Sequence, residues 1–391
     1  MLSLKKLLDL HDKSREIRLP YRRFSFELFL ELLEQKCASH PTRLKEQIGT
    51  SIEGRPIYAI SFGTGSTRVL LWTQMHGNES TATRAFFDFF NASVAHPEYF
   101  EKVFESLTIV FIPVLNPDGM ARFQRANAIG IDPNRDARAQ QTPEIKSLLT
   151  FAKNFEPDWC FNLHDQRNLF SVKGSTNPAT VSFLSPSHFG NDRKNRLDAK
   201  QMVVALSNEI QTLIPNCMGR FDEEYYPRAI GEKFQEMGYR TILIEAGGAP
   251  NDPEREVARK MNFLLFCSAF HLIGSENWKK RPDRDYYAIP ENDQKMVDLL
   301  IKGVTLHQNG HSIVLDIAIE RVEENAPNVQ GFIYKSIVKD LGDLKEYGGY
   351  EVIDAQGYYL HSALELNAAA SFVLKSDSKG DLKIENGFIL E

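Results

Sequence analysis

Between Arg68 and Leu272 the chain alternates short, almost uninterrupted apolar runs with longer amphipathic stretches, and few architectures tolerate that order. The runs are VLLWTQM (69–75), LTIVFIPVLN (107–116), DWCFNLH (158–164) and RTILIEA (240–246). Each is too short for a helix of ordinary length and rich in Val, Ile, Leu and aromatics, as strands buried on both faces are. TATRAFFDFFNASV, TPEIKSLLTFAKNF, DAKQMVVALSNEIQTLI and EREVARKMNFLLFCSAFHLI are the stretches with helical patterning. Strand and helix in alternation predict an α/β fold, a mainly parallel mixed sheet sandwiched by helices.

The two ends of the chain read differently. The first 45 or so residues are helical in pattern, FSFELFLELLEQ most clearly. After Leu272 the stretch 276–296 is polar and broken by two prolines, as an inter-domain linker is. Residues 297–391 are β-rich, with hairpin signals at Asn309-Gly310 and Gly348-Gly349, and form a small all-β module. The expected division is 1–275, a linker over 276–296, and 297–391.

Charge and cysteine usage narrow the partners. Lys and Arg number 46 against 52 Asp and Glu, a net charge of −6, so no broad basic field exists to gather nucleic acid or anionic lipid. No run of 18 apolar residues is present, so no membrane span is expected. Cys37, Cys160, Cys217 and Cys267 are far apart and form no CxxC, the usage of reduced core thiols. The first residues lack the unbroken apolar stretch of a signal peptide, and the expected location is the cytoplasm.

The chemistry-bearing residues fall at the ends of the expected strands. His76 and Glu79, in HGNE, follow the first; His164 closes the third; Glu245 closes the fourth. Ligands of open α/β sheets bind beyond the carboxyl ends of strands, so these four residues are expected to converge. Two histidines and a glutamate offer a borderline cation such as zinc three ligands and leave a fourth position open. Glu245 ends an Ile-Leu-Ile run, where an unpaired carboxylate costs several kcal/mol. It therefore pairs with a cation, does chemistry, or lies in a buried salt bridge. Arg125, Asn134 and Arg135, near the end of the second strand, suit an anionic substrate group and a developing oxyanion.

The chain resembles the zinc carboxypeptidases, the metallocarboxypeptidase family, through six segments in order: IGTSIEGRPI (48–57), HGNE (76–79), NPDG (116–119), GIDPNRD (130–136), NLHDQ (162–166) and ILIEAGG (242–248). The resemblance implies a zinc carboxypeptidase-like catalytic domain over 1–275 holding one Zn2+ on His76, Glu79 and His164, with Glu245 as general base. It further implies that Arg125 polarises the scissile carbonyl and that Asn134 and Arg135 grip the substrate's terminal carboxylate. Tyr226, or Tyr225, corresponds to the family's mobile tyrosine. The third ligand is followed here by Asp165-Gln166 where the digestive enzymes have Ser-Tyr, and Asp165 would either orient a ligand histidine or face solvent. The subtype implied is an intracellular, bacterial-type member. The C-terminal module is similar in strand pattern to the small β domain of amidohydrolases, which implies a structural or oligomerisation role.

The expected activity is release of a C-terminal residue from a peptide with a free carboxylate. An N-acyl amino acid deacylase of the aspartoacylase-like kind, or a non-catalytic binding relative, is the alternative. No nucleic acid or membrane partner is expected, and a homo-oligomer is left open.

Overall fold

The computed structural model describes residues 3–40, 44–190, 193–326 and 331–390. The chain divides into two units. The first comprises Met1–Gln166, Thr180–Gly247 and Glu254–Glu291; the second comprises Arg167–Ala179, Gly248–Pro253 and Asn292–Glu391.

The first unit is built on an eight-stranded mixed sheet. Its strands are β1 (Leu44–Thr50), β2 (Pro56–Phe62), β3 (Thr67–Trp72), β4 (Leu107–Ile112), β5 (Trp159–Asp165), β6 (Val181–Leu184), β7 (Met218–Arg220) and β8 (Arg240–Ala246). They lie in the order β1-β2-β4-β3-β5-β8-β6-β7. The four apolar runs read from the sequence are the parallel centre, β4-β3-β5-β8. Antiparallel pairings of β1 with β2, β2 with β4 and β6 with β8 extend it on both sides. The fold is the carboxypeptidase-like α/β fold.

Strand geometry explains why the central runs are apolar throughout. Successive side chains point to opposite faces, and both faces are covered. Val69 and Leu71 pack with helices α1 (Leu4–Ser14), α2 (Phe26–Ser39), α3 (Thr81–Ala95), α7 (Lys194–Ile210) and α9 (Glu256–Ser275) in one core. Leu70 and Trp72 face a second core with α6 (Pro143–Phe155) and α8 (Ile230–Glu236). Two shorter helices, α4 (Glu101–Ser106) and α5 (Pro117–Arg122), flank β4 in sequence. The N-terminal region is two helices separated by the irregular segment 15–25. In the stretch 276–296, Trp278 and Tyr286 sit on short 3-10 helices and are buried in the first unit.

The second unit carries β9 (Met296–Gln308), β10 (His311–Asn325), β11 (Phe332–Gly342) and β12 (Gly348–Asp354), ordered β11-β10-β9-β12, and a separate three-stranded antiparallel sheet nearer the C-terminus. Asn309 and Gly310, both at positive φ (51° and 77°), form the expected tight turn between β9 and β10. Gly348-Gly349 does not make a hairpin; it opens β12, which runs parallel to β9. Glycine is needed there for closeness, because a β-carbon on Gly348 would lie 2.1 Å from the carbonyl oxygen of Thr176. His307 pairs through Nδ1 with Ser312 Oγ at 2.9 Å. His311 is exposed on the same hairpin.

All four cysteines are free thiols. Among the described residues no helix is long and apolar enough to cross a membrane.

Candidate metal centre

The segments singled out in the sequence turn out to be braces on one another. Beyond β3 the backbone turns sharply at Gln74 (φ 45°), whose amide donates to the Gly77 carbonyl at 2.8 Å and whose side-chain oxygen accepts from Thr83 Oγ1. Gly77 then meets the backbone of Gly119 so closely that a β-carbon on it would lie 1.9 Å from the Gly119 carbonyl carbon. Asn116 caps α5 by accepting from Gly119 N–H at 2.9 Å and donates to the Met75 carbonyl, tying the loops after β3 and β4 together. Asp118, fully buried, accepts from Ser51 Oγ, the Glu53 N–H and Arg55. HGNE, NPDG and SIEGRP are thus one scaffold, and its product is a fixed direction for His76 and Glu79.

His76, Glu79 and His164 converge. Their ligand atoms lie within 4.8 Å of one another, and among the described residues no other group of three or more His, Cys, Asp or Glu side chains does so. Glu79 Oε1 is 2.7 Å from His76 Nδ1, and Glu79 Oε2 is 2.7 Å from His164 Nδ1. The two Nδ1 atoms are 3.2 Å apart. Two imidazole nitrogens at that distance cannot both present lone pairs to each other without a proton or a cation between them. All three side chains are buried. The donor set, two borderline nitrogens and a carboxylate, fits a zinc ion.

Electrostatics agree with a cation-binding pocket. Burial favours the neutral form of Glu79, but the two adjacent imidazoles outweigh it and hold the carboxylate well below its usual range. Burial lowers His76, yet Glu79 and Asp132 more than offset this and leave its pKa above the ordinary value. For His164 burial prevails, and its pKa is lowered.

Glu245 stands directly across from His164 in the β5–β8 register. Its Oε2 is buried with no hydrogen-bond partner, and burial, then the charges of Glu79 and Asp165, push its pKa well above the carboxylate range. Asp165 neither orients a histidine nor faces solvent. Its side chain is buried, and Oδ2 accepts from the N–H and Oγ1 of Thr81, at 3.2 and 2.7 Å, at the start of α3.

Arg125 lies beside the cluster, its guanidinium 3.0 Å from Asp132 and 3.3 Å from Glu79, with the side chain 49% exposed. Asn134 uses its side-chain oxygen to accept from Ile230 N–H at 2.9 Å, and Arg135, exposed, donates to the Asn134 carbonyl. The tyrosines are not drawn to the metal-type residues: Tyr225 donates to Glu236 and Tyr226 to Glu224. Asp132 is the participant missed in the sequence. It sits inside GIDPNRD, two residues before Asn134, and pairs with His76 Nε2 at 3.0 Å.

Comparisons with known proteins bear on the same region. Residues 29–209 match the family model described as zinc carboxypeptidase. Carboxypeptidase 2 of Trichophyton rubrum is 35% identical over 105 residues, which cover 26% of this chain and 19% of that protein. Carboxypeptidase A1 of Bos taurus is 30% identical over 168 residues, covering 32% of this chain and 39% of its own. The match thus spans about a fifth of the length of the fungal relative. A metallo-carboxypeptidase from Burkholderia cenocepacia shares the fold, with a TM-score of 0.53 at 16% identity, over 65% of this chain and 70% of its own. Over residues 29–209, somewhat less than half of its length, the chain is thus similar to zinc carboxypeptidases.

Proposed function

We propose that this chain is a zinc-dependent metallocarboxypeptidase that hydrolyses the C-terminal peptide bond of substrates with a free carboxylate. The observation that carries the reading is the joint position of the His76, Glu79 and His164 donors and the buried, unpartnered Oε2 of Glu245 at one edge of the sheet. His76, Glu79 and His164 would hold the ion. Zinc supplies a Lewis acid that makes water nucleophilic near neutral pH and polarises a carbonyl.

The chain's own groups supply the rest. Glu245 takes the proton released by the attacking water and passes it to the leaving amine, a role favoured by a raised pKa. Arg125 is braced from behind by Asp132 and Glu79, and its exposed part stabilises negative charge developing on the carbonyl oxygen. Because the Asn134 oxygen is occupied by Ile230 N–H, its amide nitrogen is left to donate to a terminal carboxylate, beside Arg135. Tyr226, with Tyr225 as its alternate, closes over the substrate. The four free thiols support a reducing, cytoplasmic setting.

The test is zinc-dependent release of free amino acids from a mixed pool of peptides and N-acyl amino acids. Release from peptides supports the proposal. Release from acyl amino acids alone would replace it with the deacylase reading, and silence on both with zinc bound would favour a binding role.

A further inference from the structure

The N-cap Ser80 and residues 84 and 88 of α3 lie on one helical face at four-residue spacing, and all three bind the backbone of one irregular segment. Asp88 Oδ1 accepts from Glu16 N–H at 2.7 Å. Arg84 donates to the carbonyls of Leu19 and Pro20 at 3.1 and 3.0 Å. Ser80 Oγ donates to the Arg22 carbonyl at 2.6 Å. From α9, Arg259 closes the other side, donating to the carbonyls of Glu16 and Leu19 while gripping both oxygens of Asp88. Apart from a turn bond from Leu19 N–H to the Glu16 carbonyl, the backbone of 16–22 is thus satisfied largely by side chains instead of by a helix or a sheet.

Ser80, Arg84, Asp88 and Arg259 are all almost completely buried. Burying such charges is a poor route to stability, since desolvation offsets most of the attraction, and their best-attested use is to fix one arrangement among several. The last rung indicates which arrangement is fixed. Ser80 follows the ligand Glu79 directly and occupies the N-cap position of α3, yet its hydroxyl does not cap the helix. Asp165 serves Thr81 N–H instead, and the Ser80 hydroxyl is committed to the strap.

We infer that segment 16–22 is a positioning strap for the metal centre: the rungs at Asp88, Arg84 and Ser80 fix the start of α3 and, through it, the direction of Glu79. This rests on the proposed zinc site. Arg84 and Ser80 are positioning residues that act through Glu79.

The test measures zinc affinity of the full chain by competition with a chromogenic chelator, alongside the denaturation midpoint of the zinc-free protein. Ser80→Ala is expected to weaken zinc binding about tenfold, the scale of other outer-shell changes at metal sites, and to shift the visible absorption of the cobalt-substituted protein. Arg84→Lys, which keeps the charge but loses the fork, should act in the same direction and serves if Ser80→Ala does not fold. Asn91→Ala removes bonds to the Ser14 carbonyl, the Glu16 side chain and Lys36, one turn further from the metal and outside the three backbone rungs, and should leave affinity within about twofold while lowering the midpoint, as loss of hydrogen bonds does. Lower midpoints in all three variants with zinc affinity unchanged would reduce the strap to scaffold and overturn the inference. Failure of the wild-type protein to bind zinc more tightly than His76→Ala would instead overturn the zinc site, and the strap with it.

Discussion

Asp132 Oδ1 lies 3.0 Å from His76 Nε2, while the other ring nitrogen of His76 faces Glu79 and His164. A carboxylate in that position fixes the tautomer, because it demands the proton on Nε2 and leaves Nδ1 as a donor of electrons to a cation. Asp132 is itself held by Arg125 and kept well below the usual carboxylate range: burial raises it, but His76, Arg125 and Arg135 outweigh that. Asp132→Asn should weaken zinc binding by about 10- to 100-fold. Chelator competition measures it, and an unchanged affinity would remove Asp132 from the site.

Glu245→Gln keeps the shape of the site and removes the proton acceptor. Turnover should fall by about 10²- to 10⁴-fold with zinc still bound. Activity retained at the wild-type level would assign the base elsewhere.

Arg135→Ala should raise KM for substrates with a free terminal carboxylate and leave amidated analogues, already poor, unaffected. Equal losses on both would mean that Arg135 supports the loop through its bond to the Asn134 carbonyl and does not touch substrate.

Much of this was legible in the chain. The four apolar runs became the parallel centre of the sheet, because a strand covered on both faces has no polar position to interrupt it. The convergence of His76, Glu79 and His164 was legible because His164 closes one of those strands and the other two follow another. Asp132 was not, since a single Asp in a polar loop carries no pattern; only folding brings it to His76. The pairing of β12 with β9 was equally hidden, because a glycine pair that marks a turn and one that permits close packing look alike in sequence. The charged ladder on α3 lay in plain view as Ser80, Arg84 and Asp88, but its partner is a segment without periodicity.

Glu232, in the first turn of α8, has a carboxyl pushed up to about 7 by burial, only partly offset by backbone N–H groups and Arg135. The folded state then holds this proton more tightly than the unfolded chain, so stability is lost as pH rises from about 4.5 to about 7. Glu232→Gln should flatten that part of the profile and raise stability at pH 8 by about 1 to 3 kcal/mol. Denaturant titrations across pH measure it; a variant that keeps the wild-type slope would acquit Glu232.

Asp118 holds Ser51, Glu53 and Arg55 against the loop that packs on Gly77. Asp118→Ala strands these donors, and unfolding free energy should fall by about 2 to 4 kcal/mol. A loss below about 1 kcal/mol would show that the SIEGRP hairpin is held by other means.

The proposed metal-dependent centre on His76, Glu79 and His164 can be tested by titrating zinc into metal-free protein while following release of the terminal residue from an N-blocked dipeptide. Release should rise with zinc to saturation at one ion per chain, and His164→Ala should abolish both the saturable binding and the release. Saturable zinc binding that survives His164→Ala, or hydrolysis that proceeds at full rate without metal, would contradict the proposed centre.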